Sequence, residues 1–85
     1  MADAHELLAN LLMARNQVAA AVAHFREVVR LRPDSAQAQF GLGSALVASG
    51  EGAAGIPYLR RALLGGDAGV REEAGRLLRE IGVAP

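Results

Sequence analysis

Three groups of residues in this chain of 85 have types or spacings that could do chemistry. Residues 50–55, Gly-Glu-Gly-Ala-Ala-Gly, match G-x-G-x-x-G, whose backbone holds the pyrophosphate of a dinucleotide between a strand and a helix. His5 and His24 carry imidazoles, which are common metal ligands. Carboxylates that could act as general acids or bases stand at Glu27, Glu72, Glu73 and Glu80.

Each of these groups has a structural explanation that fits its surroundings better. The glycine pattern follows a segment with helical periodicity and not a buried strand, which favours a turn between two helices. The two histidines lack the H-E-x-x-H spacing and an evident third ligand, so we expect no metal site. The four glutamates fall on polar helix faces, where solvated charge is usual.

Composition excludes other kinds of catalytic site. The chain has no Cys, and all nine basic residues are Arg, which removes thiol nucleophiles and lysine Schiff-base chemistry. No Ser lies in a G-x-S-x-G pattern. The sequence therefore predicts a protein that is not an enzyme, with no catalytic residue, no cofactor and no metal.

Charge and hydropathy restrict the partners further. Nine basic and nine acidic residues cancel, whereas nucleic-acid binding depends on a positive surplus. No apolar run is long enough to cross a bilayer, and the N-terminus lacks a signal-peptide pattern. We therefore expect a cytoplasmic protein without a nucleic-acid or membrane partner. Five arginines lie toward the ends of the second and fourth helices, where positive charge interacts favourably with the helix dipole. They could also contact an acidic or phosphorylated protein. These residues are Arg26, Arg30, Arg32, Arg60 and Arg61.

The elements that position these residues are predicted to be helices throughout. Apolar residues recur at intervals of three and four, as on one face of a helix. Asp3 and Asp34 are the predicted N-caps of the first and third helices. Gly50 should stop the third helix in a left-handed conformation, and Pro57 should make the fourth begin late or bend. Five helices are expected, over residues 4–14, 18–31, 35–49, 53–64 and 68–81.

One pattern of large and small residues occurs twice, 34 residues apart. The first copy reads Leu8-Ala9-x-x-Leu12, and the second reads Leu42-Gly43-x-x-Leu46. Positions further along the two copies also match at the same shift of 34 residues. An unrelated helical bundle would not require this match, so it indicates a repeat. The paired positions are Ala21 with Gly55, Val22 with Ile56, and Phe25 with Leu59.

This period and alternation resemble the tetratricopeptide repeat, a helix–turn–helix unit. His5 and Gln39 stand where that family often has Trp. Gly55 replaces its usual Ala, and Asp67 stands where the second terminal Pro would be. The resemblance implies an all-α fold, a right-handed α–α superhelix (a solenoid) of about five antiparallel helices. Residues 1–85 would form one domain, with repeat one over 2–35, repeat two over 36–67 and a capping helix over 68–82.

The resemblance also implies a binding surface. In this family the first helices of successive repeats line a concave groove that holds peptides or partner helices. A flexible Met beside an aromatic side chain suits such a surface, although both could equally pack under a neighbouring helix. The positions that correspond to the groove here are Glu6, Asn10, Met13, Gln37, Phe40, Ser44 and Val47.

Two functions agree with this interpretation. The first is a non-catalytic protein–protein interaction module, or scaffold, that binds a partner peptide or helix in the groove. The alternative is a self-associating structural or assembly fragment of a larger tetratricopeptide repeat protein, with a homo-oligomer formed through the terminal helices. The residues expected at those contacts are Leu7 and Leu11 on the first helix and Val70, Leu77 and Ile81 on the last.

Overall fold

The computed structural model describes residues 1–84, and within them the chain forms five α-helices and no strand. Each helix packs on the next along the chain, and α3 also contacts α5. This sequential packing is that of a helical repeat, so the all-α prediction is confirmed. The helices are α1 (Ala2–Ala14), α2 (Val18–Leu31), α3 (Ala36–Ala48), α4 (Gly52–Ala62) and α5 (Ala68–Glu80).

The predicted bounds of α2 are confirmed, but the predicted caps of α1 and α3 are wrong. Asp3 lies inside α1, and its carboxylate accepts a hydrogen bond from Arg32 Nη2 at 2.6 Å instead of capping the helix. The N-cap of α3 is Ser35, whose Oγ accepts a hydrogen bond from Ala38 N at 3.1 Å. Ser35 takes the capping position one residue later than predicted, and its hydroxyl satisfies the orphan N–H group of Ala38.

Pro57 does not delay the start of α4, so the late start offered by the sequence is wrong. The helix begins at Gly52 and continues through Pro57, which lies in its second turn. The proline has no N–H to donate to the carbonyl of Ala53. Both residues are exposed, so water can take the place of the missing donor. Gly50 does stop α3 as predicted, with a left-handed φ of 85°.

The core lies along α3, which receives a large side chain from the helices on both sides. A Cβ placed on Gly41 would lie 2.6 Å from Cε1 of Phe25, a side chain of α2. A Cβ on Gly43 would lie 2.8 Å from Cδ2 of Leu59, a side chain of α4. Phe25 and Leu59 occupy the same position in the two copies of the pattern, so each copy packs the side chain of that position onto a glycine of α3.

The backbones of α3 and α4 also approach closely. A Cβ on Gly55 would lie 2.8 Å from the carbonyl oxygen of Gly43, and a Cβ on Gly43 would lie 3.2 Å from the carbonyl oxygen of Gly55. A carbonyl oxygen inside a helix has little freedom to move aside. The glycine that departs from the family pattern at position 55 therefore permits this helix crossing.

The last helix repeats the burial pattern of α3 after 32 residues. Leu42-Gly43-x-x-Leu46 in α3 corresponds to Ala74-Gly75-x-x-Leu78 in α5, and all six named residues are buried. The N-caps correspond at the same spacing, because Asp67 Oδ1 accepts a hydrogen bond from Val70 N at 3.1 Å as Ser35 does in α3. Asp67 is thus the cap of α5, which explains why no proline stands there.

The close approach of α3 and α4 predicts opposite effects for two Gly→Ala substitutions. We expect Gly55→Ala to lower the free energy of unfolding by about 1–3 kcal/mol, because the added methyl meets a backbone carbonyl. The matched control is Gly52→Ala at the start of α4, where an added Cβ has no neighbour within 4 Å. This control should be neutral or stabilising by up to about 1 kcal/mol. Urea denaturation followed by circular dichroism measures both, and equal changes in the two variants would contradict the close approach.

Candidate functional site

The seven residues predicted to line a groove lie on α1 and α3, the two helices that both pack on α2. Asn10 and Gln37 are exposed. The others are partly buried, and they are Glu6, Met13, Phe40, Ser44 and Val47. Every one of these side chains thus retains some accessible surface.

Two of the polar groove residues already have partners within the chain. Ser44 Oγ donates a hydrogen bond to the carbonyl of Gly41 at 3.1 Å, within its own helix. Glu6 Oε2 lies 3.9 Å from Nη1 of Arg32, the residue whose other terminal nitrogen bonds Asp3. The amides of Asn10 and Gln37 are exposed instead, and their donors and acceptors face water.

The apolar groove residues differ in what they touch. Met13 packs against the core cluster around Phe25, whereas Phe40 is not among the side chains packed there. Val47 lies toward α4, because its Cγ2 would be 3.5 Å from a Cβ placed on Gly55. Phe40, the one aromatic side chain of this set, is thus partly exposed and lies outside that cluster.

A second surface of interest is an exposed apolar stripe on α1. We call the residues Ala4, Leu7, Leu8 and Leu11 the α1 stripe; all four are exposed. Leu7 is 64% exposed and Leu11 is 52% exposed. Their spacing of three and four residues places them on one side of the helix. Val70 and Leu77 of α5 and its C-cap Ile81 are partly buried, so this face of the last helix is less exposed than the α1 stripe.

Comparison of the two copies of the repeat pattern explains why the stripe is exposed. Leu8 is 42% exposed, but its counterpart Leu42 is 1% exposed. Ala4 and Leu11 are likewise exposed, and their counterparts Ala38 and Ala45 are buried. The difference follows from the neighbours, because α3 is packed between α2 and α4 whereas α1 packs on α2.

Arginines of the predicted basic group are partly engaged within the chain. Arg30 Nε donates to both carboxylate oxygens of Glu27, at 3.0 and 3.1 Å. This hydrogen-bonded guanidinium lowers the pKa of Glu27, with smaller contributions from the charges of His5 and the N-terminus. The guanidinium carbon of Arg61 lies 5.4 Å from the ring centroid of Tyr58, a cation–π distance.

A cavity of about 280 Å³ opens between the α2–α3 turn and the end of α4. The side chain of Gln39 lies at this cavity, but its amide oxygen is not accessible from it. Gln39 is 5% exposed, and its Nε2 donates to the carbonyl of Pro33 at 2.9 Å. Its Oε1 has no partner among the residues described and almost no accessible surface, so a molecule in the cavity would not contact it. The cavity is lined by Pro33, Asp34, Ala36, Gln39, Arg61, Leu64 and Gly65.

The structure brings the two histidines together across α1 and α2. Nδ1 of His5 lies 3.0 Å from Nδ1 of His24, and the ring centroids are 5.3 Å apart. Sequence reasoning missed this contact because it treated each histidine alone. A signal was present, since His5 occupies the repeat position of Gln39, which is buried.

Two kinds of feature are absent from residues 1–84. No three side chains of His, Cys, Asp or Glu lie close enough together to surround a metal ion. None of the helices in this part of the chain has both the length and the apolar character to cross a membrane.

Comparison with known proteins bears on the repeat. A family model described as the tetratricopeptide repeat matches residues 6–70, which is well over half of the chain. The matched segment runs from α1 to the first turn of α5 and includes all seven predicted groove positions. A comparison with curated protein sequences gives no match.

The contact between Arg30 and Glu27 predicts a titration change. The carboxyl of Glu27 should titrate below the usual glutamate range, and Arg30→Gln should raise its pKa because the donor that favours the carboxylate is lost. Carboxyl chemical shifts followed by NMR against pH measure both midpoints. Because the pKa is lowered in the folded state, any stabilisation by this pair is present above the unfolded pKa and disappears as the pH falls through the folded value. An unchanged midpoint in Arg30→Gln would contradict the observed pairing.

Proposed function

Since this chain belongs to the tetratricopeptide repeat family, we propose that it is a non-catalytic module that binds a partner peptide or helix in a groove formed by α1 and α3. Members of this family generally mediate protein–protein interactions. The observation that carries the proposal is the combination of exposed amides and accessible apolar side chains on these two helices: Asn10, Gln37, Met13 and Phe40.

The chemistry of this surface suits a peptide backbone with occasional apolar side chains. An amide side chain can both donate to a backbone carbonyl and accept from a backbone N–H, as Asn10 and Gln37 would do. Phe40 would supply apolar contact area, and Met13 could adapt its shape to different side chains. Two repeats offer a short surface, so we expect dissociation constants in the range of about 1 μM.

A displayed peptide library provides a probe that does not depend on knowing the natural partner. Peptides selected on the folded chain should bind about tenfold or more weakly to Phe40→Ala and to Asn10→Ala, because each variant removes a contact from the groove. Isothermal titration calorimetry measures the affinities, and circular dichroism verifies that each variant is folded.

The matched control for the peptide experiment is Arg79→Ala, an exposed position near the end of α5, a helix that supplies none of the predicted groove residues. This variant should bind the selected peptides as the parent chain does. Equal affinities for the parent, Phe40→Ala and Asn10→Ala would place binding elsewhere. Failure to enrich any peptide would also count against the groove.

A second candidate function is self-association through the α1 stripe, and the exposure of its three leucines favours it. The partner would be a second copy of the chain. Leu7 stands where α3 has Gly41, so a helix that carries a knob like Phe25 would clash with the stripe. Leucines of a second α1 stripe can interdigitate with it instead, in a contact that a two-fold axis makes self-complementary.

Sedimentation equilibrium over a hundredfold range of concentration tests this second function. The parent chain should exceed its monomer mass of 8.8 kDa as concentration rises, and Leu11→Glu should remain monomeric because a charge would be buried at the contact. Leu64→Glu is the matched control, since Leu64 is 87% exposed but lies outside the stripe, after the end of α4. A monomeric parent chain at all concentrations would overturn self-association and leave the groove proposal unaffected.

A further inference from the structure

The two histidines form a pair of nitrogen atoms that converge across a helix–helix contact. Their Nδ1 atoms are 3.0 Å apart, and the ring planes are inclined by 34°. Imidazole nitrogens at this distance share one proton, because one Nδ1–H donates to the lone pair of the other. Two neutral rings that each presented a lone pair here would repel unless a cation lay between them.

We propose that His5 and His24 form a two-ligand site for a late first-row divalent cation such as Zn²⁺, bound through both Nδ1 atoms. Zn–N bonds are about 2.0–2.1 Å long, so two nitrogens on one ion lie about 2.9 Å apart at a right angle and about 3.3 Å apart at the tetrahedral angle. The observed separation of 3.0 Å falls within this range. Binding would open this separation toward the tetrahedral value, and both rings would turn so that their lone pairs converge on the ion instead of pointing at each other.

The helices hold the two ligands in place before a metal ion arrives. His5 belongs to α1 and His24 to α2, and only residues 15–17 connect these helices. Asn16 closes that turn with a left-handed φ of 59°. Both rings are partly buried, which limits the conformations that they would lose on binding. Ordering of the ligands therefore costs little free energy at this site.

The neighbouring charges supply no further ligand, and the carboxylate of Glu27 is offset by the guanidinium of Arg30. Glu27 lies one turn after His24 on α2, and its carboxylate interacts electrostatically with His5. Arg30 holds both oxygens of that carboxylate, so Glu27 does not coordinate the ion in this arrangement. No third His, Asp or Glu in residues 1–84 completes the site. Water would fill the remaining positions, and binding should be weaker than at a four-ligand structural zinc site.

The donor set determines which ions should bind. Imidazole nitrogen suits Zn²⁺, Ni²⁺ and Cu²⁺, whereas Mg²⁺ prefers oxygen ligands and releases its water reluctantly. In the part of the chain that the structure describes, both ligands of the site are nitrogen atoms, so Zn²⁺ should bind much more strongly than Mg²⁺.

Thermal unfolding of the chelator-treated full chain, with Zn²⁺ alone as the probe, tests the proposal. When free Zn²⁺ exceeds its dissociation constant a hundredfold, the Tm should rise by about 10–20 °C, because the ion binds the folded hairpin and not the unfolded chain. Equal concentrations of Mg²⁺ should leave the Tm unchanged. Absence of a shift with Zn²⁺ would overturn the proposal.

Single substitutions then show whether the two rings act together. His5→Gln and His24→Gln should each abolish the Zn²⁺-dependent shift, since one imidazole cannot bridge the helices. The matched control is Glu80→Gln, which removes an exposed carboxylate of α5 and should retain the shift. Persistence of the shift in either histidine variant would place the ion elsewhere on the chain.

NMR of the unmodified chain keeps the proposal testable if a histidine variant fails to fold. Long-range ¹H–¹⁵N spectra of the imidazoles should show that Zn²⁺ shifts the Nδ1 resonances of both rings. A response of only one ring, or of Nε2 in place of Nδ1, would overturn the bridging geometry. The result is independent of the groove and of self-association, because it is measured without a protein partner.

Discussion

The structure depends on the ability of α3 to receive large side chains from both of its neighbours. Gly41 accepts Phe25 of α2, and Gly43 accepts Leu59 of α4. Full burial of each of these side chains contributes about 1.5–3 kcal/mol, a large fraction of the stability of so small a domain. The outer helix α1 reaches this centre through α2, whereas α5 packs on α4 and also contacts α3 directly.

The sequence predicted the helices and the equivalence of positions between them, but not what surrounds each position. The apolar period located α2 at its observed residues, and the repeat phase paired Phe25 with Leu59. Leu8 and Leu42 are the same residue type at the same repeat position, yet only Leu42 is buried. Burial at that position depends on a second neighbouring helix, and the local sequence of α1 carries no information about one.

Other features escaped prediction because two local preferences competed or because two distant residues were involved. Asp34 and Ser35 are both good N-caps, and the choice between them depends on where the preceding turn directs the chain. Pro57 lies inside α4 at a place where both it and Ala53, the residue whose carbonyl loses its donor, are exposed to solvent. The contact between the histidines depends on the rotational orientation of α1 and α2 about their own axes. Periodicity alone does not determine that orientation to within one side chain. The groove positions follow from the family pattern, and their binding role stays a prediction.

Three surfaces of the chain lie on different parts of its first three helices. The groove residues occupy α1 and α3, the α1 stripe is the apolar side of α1 that no other helix covers, and the histidines meet where α1 contacts α2. A partner in the groove and a copy on the stripe would therefore contact α1 on different sides. A cation between the histidines would join α1 to α2 and so support both surfaces indirectly.

The unequal number of neighbours around α1 and α3 has a consequence for the way the molecule opens. In a helical repeat, each unit is stabilised by its own helices and by the contacts it makes with adjacent units. Loss of α1 breaks one interface, whereas loss of α3 separates α2 from α4 and dismantles the core. Backbone amides of α1 should therefore exchange with solvent through partial opening from the N-terminal end, at a free energy below that of global unfolding. Backbone amides in the middle of α3 should exchange only when the whole chain unfolds. From the opening of α1 we expect a minor state of the native ensemble in which α1 is detached and α2 to α5 remain folded.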